Sequence, residues 1–339
     1  MSIIQIFNAS GIPLTEISAT VDREYVLNGV TRCTWTMALL DYKCREEYLQ
    51  YGNLILIDDG ILPSWCGVID TDETDGRVWG GNKLKLLAKS AGQLFWYADS
   101  NITKFSGTAG DMFRQLLDVY NAQGLPYITP GDIWTGGPAL EETLGQPLLD
   151  HVRRVQANSG NDWSVVGRAE NGVLRLYANW HEKAGQLQNV SLNDKNLEYS
   201  DELYRETGMI YNDVRGLGDA MTSGKRLETE RVVNQASIDL YGRRRASVVF
   251  SGVKAPDVLL KRTQEHVAFY SKPRFKFSAT VANVNNLFAF LDVGNSYPFE
   301  TAKAGFKSDG SFGITGTARL LSMKPDGAAE KVALSVEVV

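Results

Sequence analysis

Asp70, Asp72, Glu73 and Asp75 place four carboxylates within six residues ahead of Gly76, a density at which a loop can wrap a hard cation such as calcium. The ligand order fails. Thr74 takes the fifth ligand place, the glycine falls one residue late, and Gly81 stands where a bidentate glutamate belongs, so the run reads as an acidic hairpin tip. A phosphate loop is approached between Gly218 and Arg226, but five residues rather than four separate Gly218 from Gly224, and Lys225 is followed by Arg226 instead of the hydroxyl that would reach magnesium. That stretch reads as a solvated loop.

Other reactive groupings are equally incomplete. Asp309-Gly310-Ser311-Phe312-Gly313 carries aspartate where a hydrolase nucleophile elbow needs its first glycine, and a hairpin tip describes it better. His181-Glu182 begins like a zincin helix without the second histidine, and a three-histidine metal site would need His151, His181 and His266, the only three, to converge. Paired carboxylates could cleave a glycosidic bond wherever the fold brings two together, yet nothing in the sequence singles out one pair. Arg243, Arg244 and Arg245 precede a strand-like run, and strand alternation puts Arg243 and Arg245 on one surface with Arg244 on the other. They could contact a phosphate or a partner, or answer nearby acidic residues as paired surface charges. Seven tryptophans, from Trp35 to Trp180, show no clustering that marks a sugar platform, and core or inter-domain packing suits them. No catalytic, cofactor-binding or metal-binding residue is assigned, and the expectation is a non-enzymatic chain.

The elements that must position any site are mainly β. Six Asn-Gly or Asp-Gly pairs mark turns: Asn28-Gly29, Asp59-Gly60, Asp75-Gly76, Asn171-Gly172, Asp309-Gly310 and Asp326-Gly327. Flanked by apolar and β-branched runs, such pairs signal hairpins. The spacing predicts strands at Ile3 to Phe7, Arg32 to Met37, Leu54 to Ile57, Trp65 to Ile69 and Lys83 to Ala88. Ala109, Met112, Phe113, Leu116, Leu117 and Tyr120 then recur at helical steps, stopped by Gly124 and Pro126. Pro147 opens a second helix carrying Leu148, Leu149, Val152 and Val155, and Trp163 to Val166 with Val173 to Tyr177 forms a hairpin across Asn171-Gly172. Strands return at Val214 to Leu217, Leu227 to Val233, Ser237 to Leu240, Phe275 to Val281, Ser296 to Glu300, Ile314 to Ser322 and Val332 to Val338, interrupted by a helix from Pro256 to about Tyr270. Gly52-Asn53 before Leu54 to Ile57 and Gly294-Asn295 before Tyr297 to Glu300 form a loose quasi-repeat. The expected division is a β-domain over 1–89, an inserted α/β domain over 90–200, and a second β-domain over 201–339 with a helix near 256–270.

Bulk properties narrow the class. With 339 residues, 43% hydrophobic and 22% charged, the chain can bury real cores. A formal charge of −5 with dispersed Lys and Arg argues against a nucleic-acid reader. Cys33, Cys44 and Cys66 lack metal spacing and read as reduced strand or core residues made in a cytoplasm. No leader-like start or run of roughly 18 apolar residues is present, so a soluble, unexported protein is expected.

In its two β ends, α/β insert, Tyr241-Gly242-Arg243-Arg244, Val293-Gly294-Asn295, the hairpin from Gly305-Phe306 to Gly316, and the run Leu54 to Ile69 through Pro63-Ser64-Trp65 and Cys66-Gly67-Val68-Ile69, the chain resembles bacteriophage tail baseplate and tail-tip hub proteins. The resemblance covers nearly its whole length. It implies two small tube-like β-barrels per chain and a homotrimer whose six barrels match a hexameric tail tube. It also implies partners: a tail tube or distal tail protein, a tape measure protein, a central spike or fibre, and genomic DNA only in transit. The implied location is the distal end of the tail in the virion, after synthesis in the host cytoplasm. Mild acidity suits a channel through which DNA slides, and no added lysozyme or peptidase domain is expected. The polar segment Gly216 to Lys225 is the candidate contact loop toward a neighbouring ring or subunit. The rival readings are a glycan-binding receptor module and a polysaccharide-degrading tail enzyme.

Overall fold

In the computed structural model, which describes residues 2–70, 77–100, 104–137, 139–143, 147–199, 204–206, 210–220, 224–306, 311–326 and 330–338, the alternating stretches of the first ninety residues become one sheet. They supply β1 (Ser2–Phe7), β2 (Pro13–Ala19), β3 (Val21–Arg23), β4 (Tyr25–Val26), β5 (Arg32–Ala38), the short helix α1 (Glu46–Leu49), β6 (Leu54–Ile57), β7 (Trp65–Ile69), β8 (Val78–Gly80) and β9 (Lys83–Ser90). The strand order is β2-β1-β6-β7-β9-β5-β3, with β8 added beside β9 and β4 paired elsewhere. Thr20 alone separates β2 from β3, so the ends of the sheet are two halves of one bent strand and the sheet nearly closes on itself. Successive residues of β6 and β7 face opposite ways. Ile55, Ile57, Trp65 and Ile69 line the interior, while Leu54, Leu56, Cys66 and Val68 belong to a second core outside it.

That second core is built by the next segment: β10 (Lys104–Thr108), α2 (Ala109–Asn121), β11 (Ile128–Ile133), β12 (Ala139–Thr143), α3 (Leu148–Ser159), β13 (Asp162–Glu170) and β14 (Val173–His181). The Thr108 hydroxyl accepts from the Asp111 amide at 3.2 Å and caps α2. Gly160, at φ 70°, ends α3. Met112, Phe113, Leu116, Leu117 and Tyr120 are all buried, as their helical spacing required. Asn171 and Gly172 take φ of 53° and 78°, joining β13 to β14 in a tight hairpin.

From Leu192 the chain contributes β15 (Leu192–Asn193), β16 (Leu197–Tyr199) and β17 (Tyr204–Glu206), then a separate small sheet of β18 (Asp213–Ala220), β19 (Arg226–Glu228), β20 (Val232–Val233) and β21 (Arg245–Val249), carrying α4 (Gln235–Tyr241) and α5 (Pro256–Tyr270). The strand expected at Ser237 to Leu240 is therefore helix. Asn234 caps it by accepting from the Ser237 amide at 3.0 Å, and Leu240, 76% exposed, has no core to face. Likewise, Gly216 to Ala220 of the expected contact loop lies within β18, and residues 221–223 of that loop are outside the described residues.

The chain then returns to a large sheet through β22 (Arg274–Ala282), β23 (Ser296–Phe306), β24 (Phe312–Pro325) and β25 (Lys331–Val338), in the order β15-β23-β24-β25-β22-β16. Here too the sheet's two ends, β15 and β16, are neighbours in sequence, joined by a turn over Asp194 to Asn196. Five strands correspond between the large sheets, β3-β5-β9-β7-β6 in one and β16-β22-β25-β24-β23 in the other, with the same chain order and the same neighbours. The Gly-Asn pairs occupy equivalent places. Gly52 donates to the Ile69 carbonyl at 3.0 Å and Ile69 donates back to Asn53 at 2.8 Å; Gly294 and Leu320 do the same with Asn295 at 2.8 and 2.9 Å. Their φ angles are 91° and 93°. Interior residues of both sheets join in a single apolar cluster, and β4 crosses from the first segment to pair with β24, Tyr25 opposite Met323 and Val26 opposite Ser322.

These matched glycines predict unmatched costs on substitution. Both angles lie in the region that a side chain resists, at about 1–3 kcal/mol. An ideal Cβ on Gly52 meets nothing within 4 Å, whereas on Gly294 it lies 3.1 Å from Ala184 backbone and side-chain atoms. Gly294→Ala is expected to lower the chemical-unfolding midpoint more than Gly52→Ala, and equal losses would reject the packing argument.

Candidate functional site

The residues singled out for chemistry lie apart. His151 is buried in α3, His181 ends β14 with its Nδ1 3.6 Å from Asp132, and His266 lies in α5 against the rings of Tyr211 and Tyr270. Among the described residues no three His, Cys, Asp or Glu side chains are grouped to hold a metal ion. Of the acidic run only Asp70 is described, 3.3 Å from Lys89, and the remainder, like Asp309 and Gly310, falls outside the described residues. Gly218 serves packing, since a Cβ there would stand 2.5 Å from the Val253 carbonyl. Trp35, Trp65, Trp163 and Trp180 are buried, so no sugar can stack on them, while Trp79 and Trp96 are exposed on separate elements. Cys33 and Cys66 are buried strand residues whose thiols burial pushes up to about 12, away from reactive thiolate.

What the fold does bring together is a junction. Asn28, in the turn after β4, donates from Nδ2 to Asp162 Oδ1 at 2.8 Å and accepts the Trp163 amide on Oδ1 at 2.7 Å. Asp162, buried at the start of β13, also accepts the Ala184 amide at 2.7 Å and is paired with Arg319 of β24. One carboxylate thereby ties the first segment, the α/β insert, the following link and the second large sheet. The link itself runs backbone against backbone: a Cβ on Gly185 would come within 2.3 Å of Gly294. Asn295 accepts the Gln186 amide at 2.9 Å. A cleft of about 380 Å3 opens beside this junction, lined by Trp65, Trp163, Asn28, His181 and Asp292 among others. Asp292 keeps surface open to water at the cleft, but surrounding protein pushes its carboxyl up to about 6. Sequence reading marked Asn28-Gly29 only as a turn; nothing in a dipeptide announces that its side chain will bracket a strand that follows more than a hundred residues later.

A second convergence lies on the small sheet. Asp213, fully buried, receives Arg231 Nη1 at 2.9 Å, Arg243 Nη1 at 2.9 Å and Arg245 Nε at 3.1 Å. Burial works against the charged form, yet the hydrogen bonds from Arg231 and Arg245 outweigh it and hold the carboxyl below its ordinary value. Arg243 and Arg245 share a surface as strand alternation required, while Arg244 turns back to the Tyr241 carbonyl.

The architecture is thus a nearly self-closing sheet, a second large sheet of matched strand order, an α/β insert on the outer face of the first, and a buried junction joining them. No protein-family model matches the sequence, and no curated protein does. Among solved structures, 99% of this chain is similar to the prophage tail protein gp18 from Listeria monocytogenes, with TM-score 0.59 and 13% identity over 94% of that chain. A tail protein from Neisseria meningitidis matches with TM-score 0.58, 13% identity and coverage of 99% of this chain and 96% of that one. The 43 kDa tail protein of prophage MuSo2 from Shewanella oneidensis gives 0.57, 12%, 99% and 98%.

Two measurements test the junction. Arg319→Met strands the buried Asp162 carboxylate and is expected to cost about 3–5 kcal/mol in urea unfolding, with Asp162→Asn in the same chain recovering part of the loss; a silent Arg319→Met would refute the tie. Asp292 favours its neutral form when folded, so its contribution to stability is full below the ordinary value of 3.8 and is lost as pH rises through about 6. Asp292→Asn should flatten the stability profile between those limits, and an unchanged slope would show that another group is responsible.

Proposed function

We propose that the chain is a structural hub of a phage tail tip or baseplate, each copy presenting two tube-like β-barrels. The carrying observation is the shared pairing order of the two large sheets, with the same Gly-Asn bond pattern at the same place in each. Division near residues 89 and 200 separates a first barrel, an α/β insert and a second barrel. The closing pieces β15 and β16 come from just ahead of the second boundary, and the β18–β21 module and α5 flank that barrel. Three such chains present six barrels, so a threefold ring docks onto a sixfold tube without a special adaptor surface on each. A closed sheet leaves few free edges, which suits a wall that must not propagate strand pairing beyond the ring.

On this reading the partners are a tail tube or distal tail protein and the tape measure protein on one side and a spike or fibre on the other, with DNA passing through but not held. The protein is made in the host cytoplasm and ends at the distal end of the virion tail. The fold likeness to tail proteins over 99% of the chain supports the placement. The burial of Trp35, Trp65, Trp163 and Trp180 weighs against a sugar-binding platform.

Mass measurement in solution together with imaging of purified particles tests the proposal. The expected result is a three-chain ring with six similar lobes at the tail tip. A stable monomer absent from particles would reject it.

A further inference from the structure

Asp213, Arg231, Arg243 and Arg245 bring three positive charges to one buried carboxylate, leaving a surplus of two. One guanidinium is enough to neutralise Asp213, and Arg231, a third exposed, already reaches both its carboxylate and its carbonyl. Arg243 and Arg245 are 48% and 62% exposed, so most of their remaining N–H donors face water. Two carboxylates of this module are engaged elsewhere: Glu228 lies 3.3 Å from Arg215, and Asp239 accepts from Gln235 at 2.7 Å.

These two arginines stand at the start of β21, which pairs with β18 and whose outer edge pairs with no described strand. The Arg244 carbonyl accepts from Asp213 and the Phe250 amide donates to Leu217, so even-numbered residues bond inward. Alternation then turns the amides of Arg245, Ser247 and Val249 outward. The side chains of the same three residues are exposed on one face. A strand added along this edge would set its own alternate side chains directly beside Arg245 and its neighbours, at the separation of a cross-strand pair.

We propose that the free edge of β21 accepts an extended acidic polypeptide segment from a partner protein, held by added-strand hydrogen bonds and by carboxylates on Arg243 and Arg245. Guanidinium forks match carboxylates in geometry as well as charge. A nucleic acid fits less well, because phosphates need a longer basic track than two residues and the chain as a whole carries −5. This surface is independent of the ring proposed above.

The test is fluorescence anisotropy with the full chain and a labelled nine-residue peptide alternating glutamate and threonine, at low salt. Saturable binding is expected, weakened at least tenfold by Arg243→Gln with Arg245→Gln, variants that leave Arg231 on Asp213. Ser247→Pro, which removes an outward amide and no inward bond, should weaken it comparably, with circular dichroism confirming that each variant is folded. Absence of peptide binding, equal binding by the folded arginine variant, or a 12-residue single-stranded DNA bound as tightly as the peptide would each overturn the proposal.

Discussion

A single buried apolar cluster runs through the interiors of both large sheets, from Ile4 and Trp35 at one end to Phe299 and Val336 at the other. Adjacency in the chain of each sheet's two end strands makes this possible. A sheet that curves until its two ends are adjacent in the chain turns its inward residues toward this shared interior, and alternate positions there are apolar. The outward residues of β6 and β7 then remain apolar for another reason, because the α/β insert covers them. Both strands consequently read as continuous hydrophobic runs.

Charges are placed where one arrangement of these parts must be chosen over others. Arg23, 2% exposed, reaches from β3 to Asp59 in the β6–β7 hairpin at 2.5 Å. Arg274 at the start of β22 pairs with Glu337 of β25 at 2.6 Å while lying over the rings of Phe269 and Tyr270 from α5. With the Asp162–Arg319 tie, these pairs sit at closures and seams. Apolar surface tolerates sliding; a buried ion does not, since displacement leaves it without its partner and far from water. Such pairs therefore define orientation more than they add net stability.

Periodicity made the regular parts legible. α5 begins and ends at the residues that its proline and apolar stripe mark, α2 and α3 follow their stripes, and β6 and β7 span the runs that their composition defines. Strands β2 and β3 are hard to read in the sequence because their inward series, Ile17, Ala19, Val21 and Arg23, ends in a charge, and β2 itself opens on Pro13. Only the partner Asp59, far along the chain, makes an inward arginine sensible. Ser237 to Leu240 misled in the opposite way: a short apolar alternation was outweighed by the Asn234 cap. The junction was illegible in kind, because Asn28, Asp162 and Arg319 are unremarkable residues until tertiary folding places them together.

The excursion of β4 carries a consequence for how the molecule is assembled in time. Among the described residues, Tyr25 and Val26 find their strand partners in Met323 and Ser322, and Asp22 pairs with Lys324, 302 positions along the chain. A ribosome releases the early residues long before the late ones exist, so the amides of this short strand stay solvated while the first sheet is already taking shape. The second sheet is finished only when the chain doubles back on its beginning, a loop closure whose entropic penalty is met last. Products truncated before β24 therefore expose an unsatisfied seam, and arrival of that strand is what joins the early segment to the second sheet.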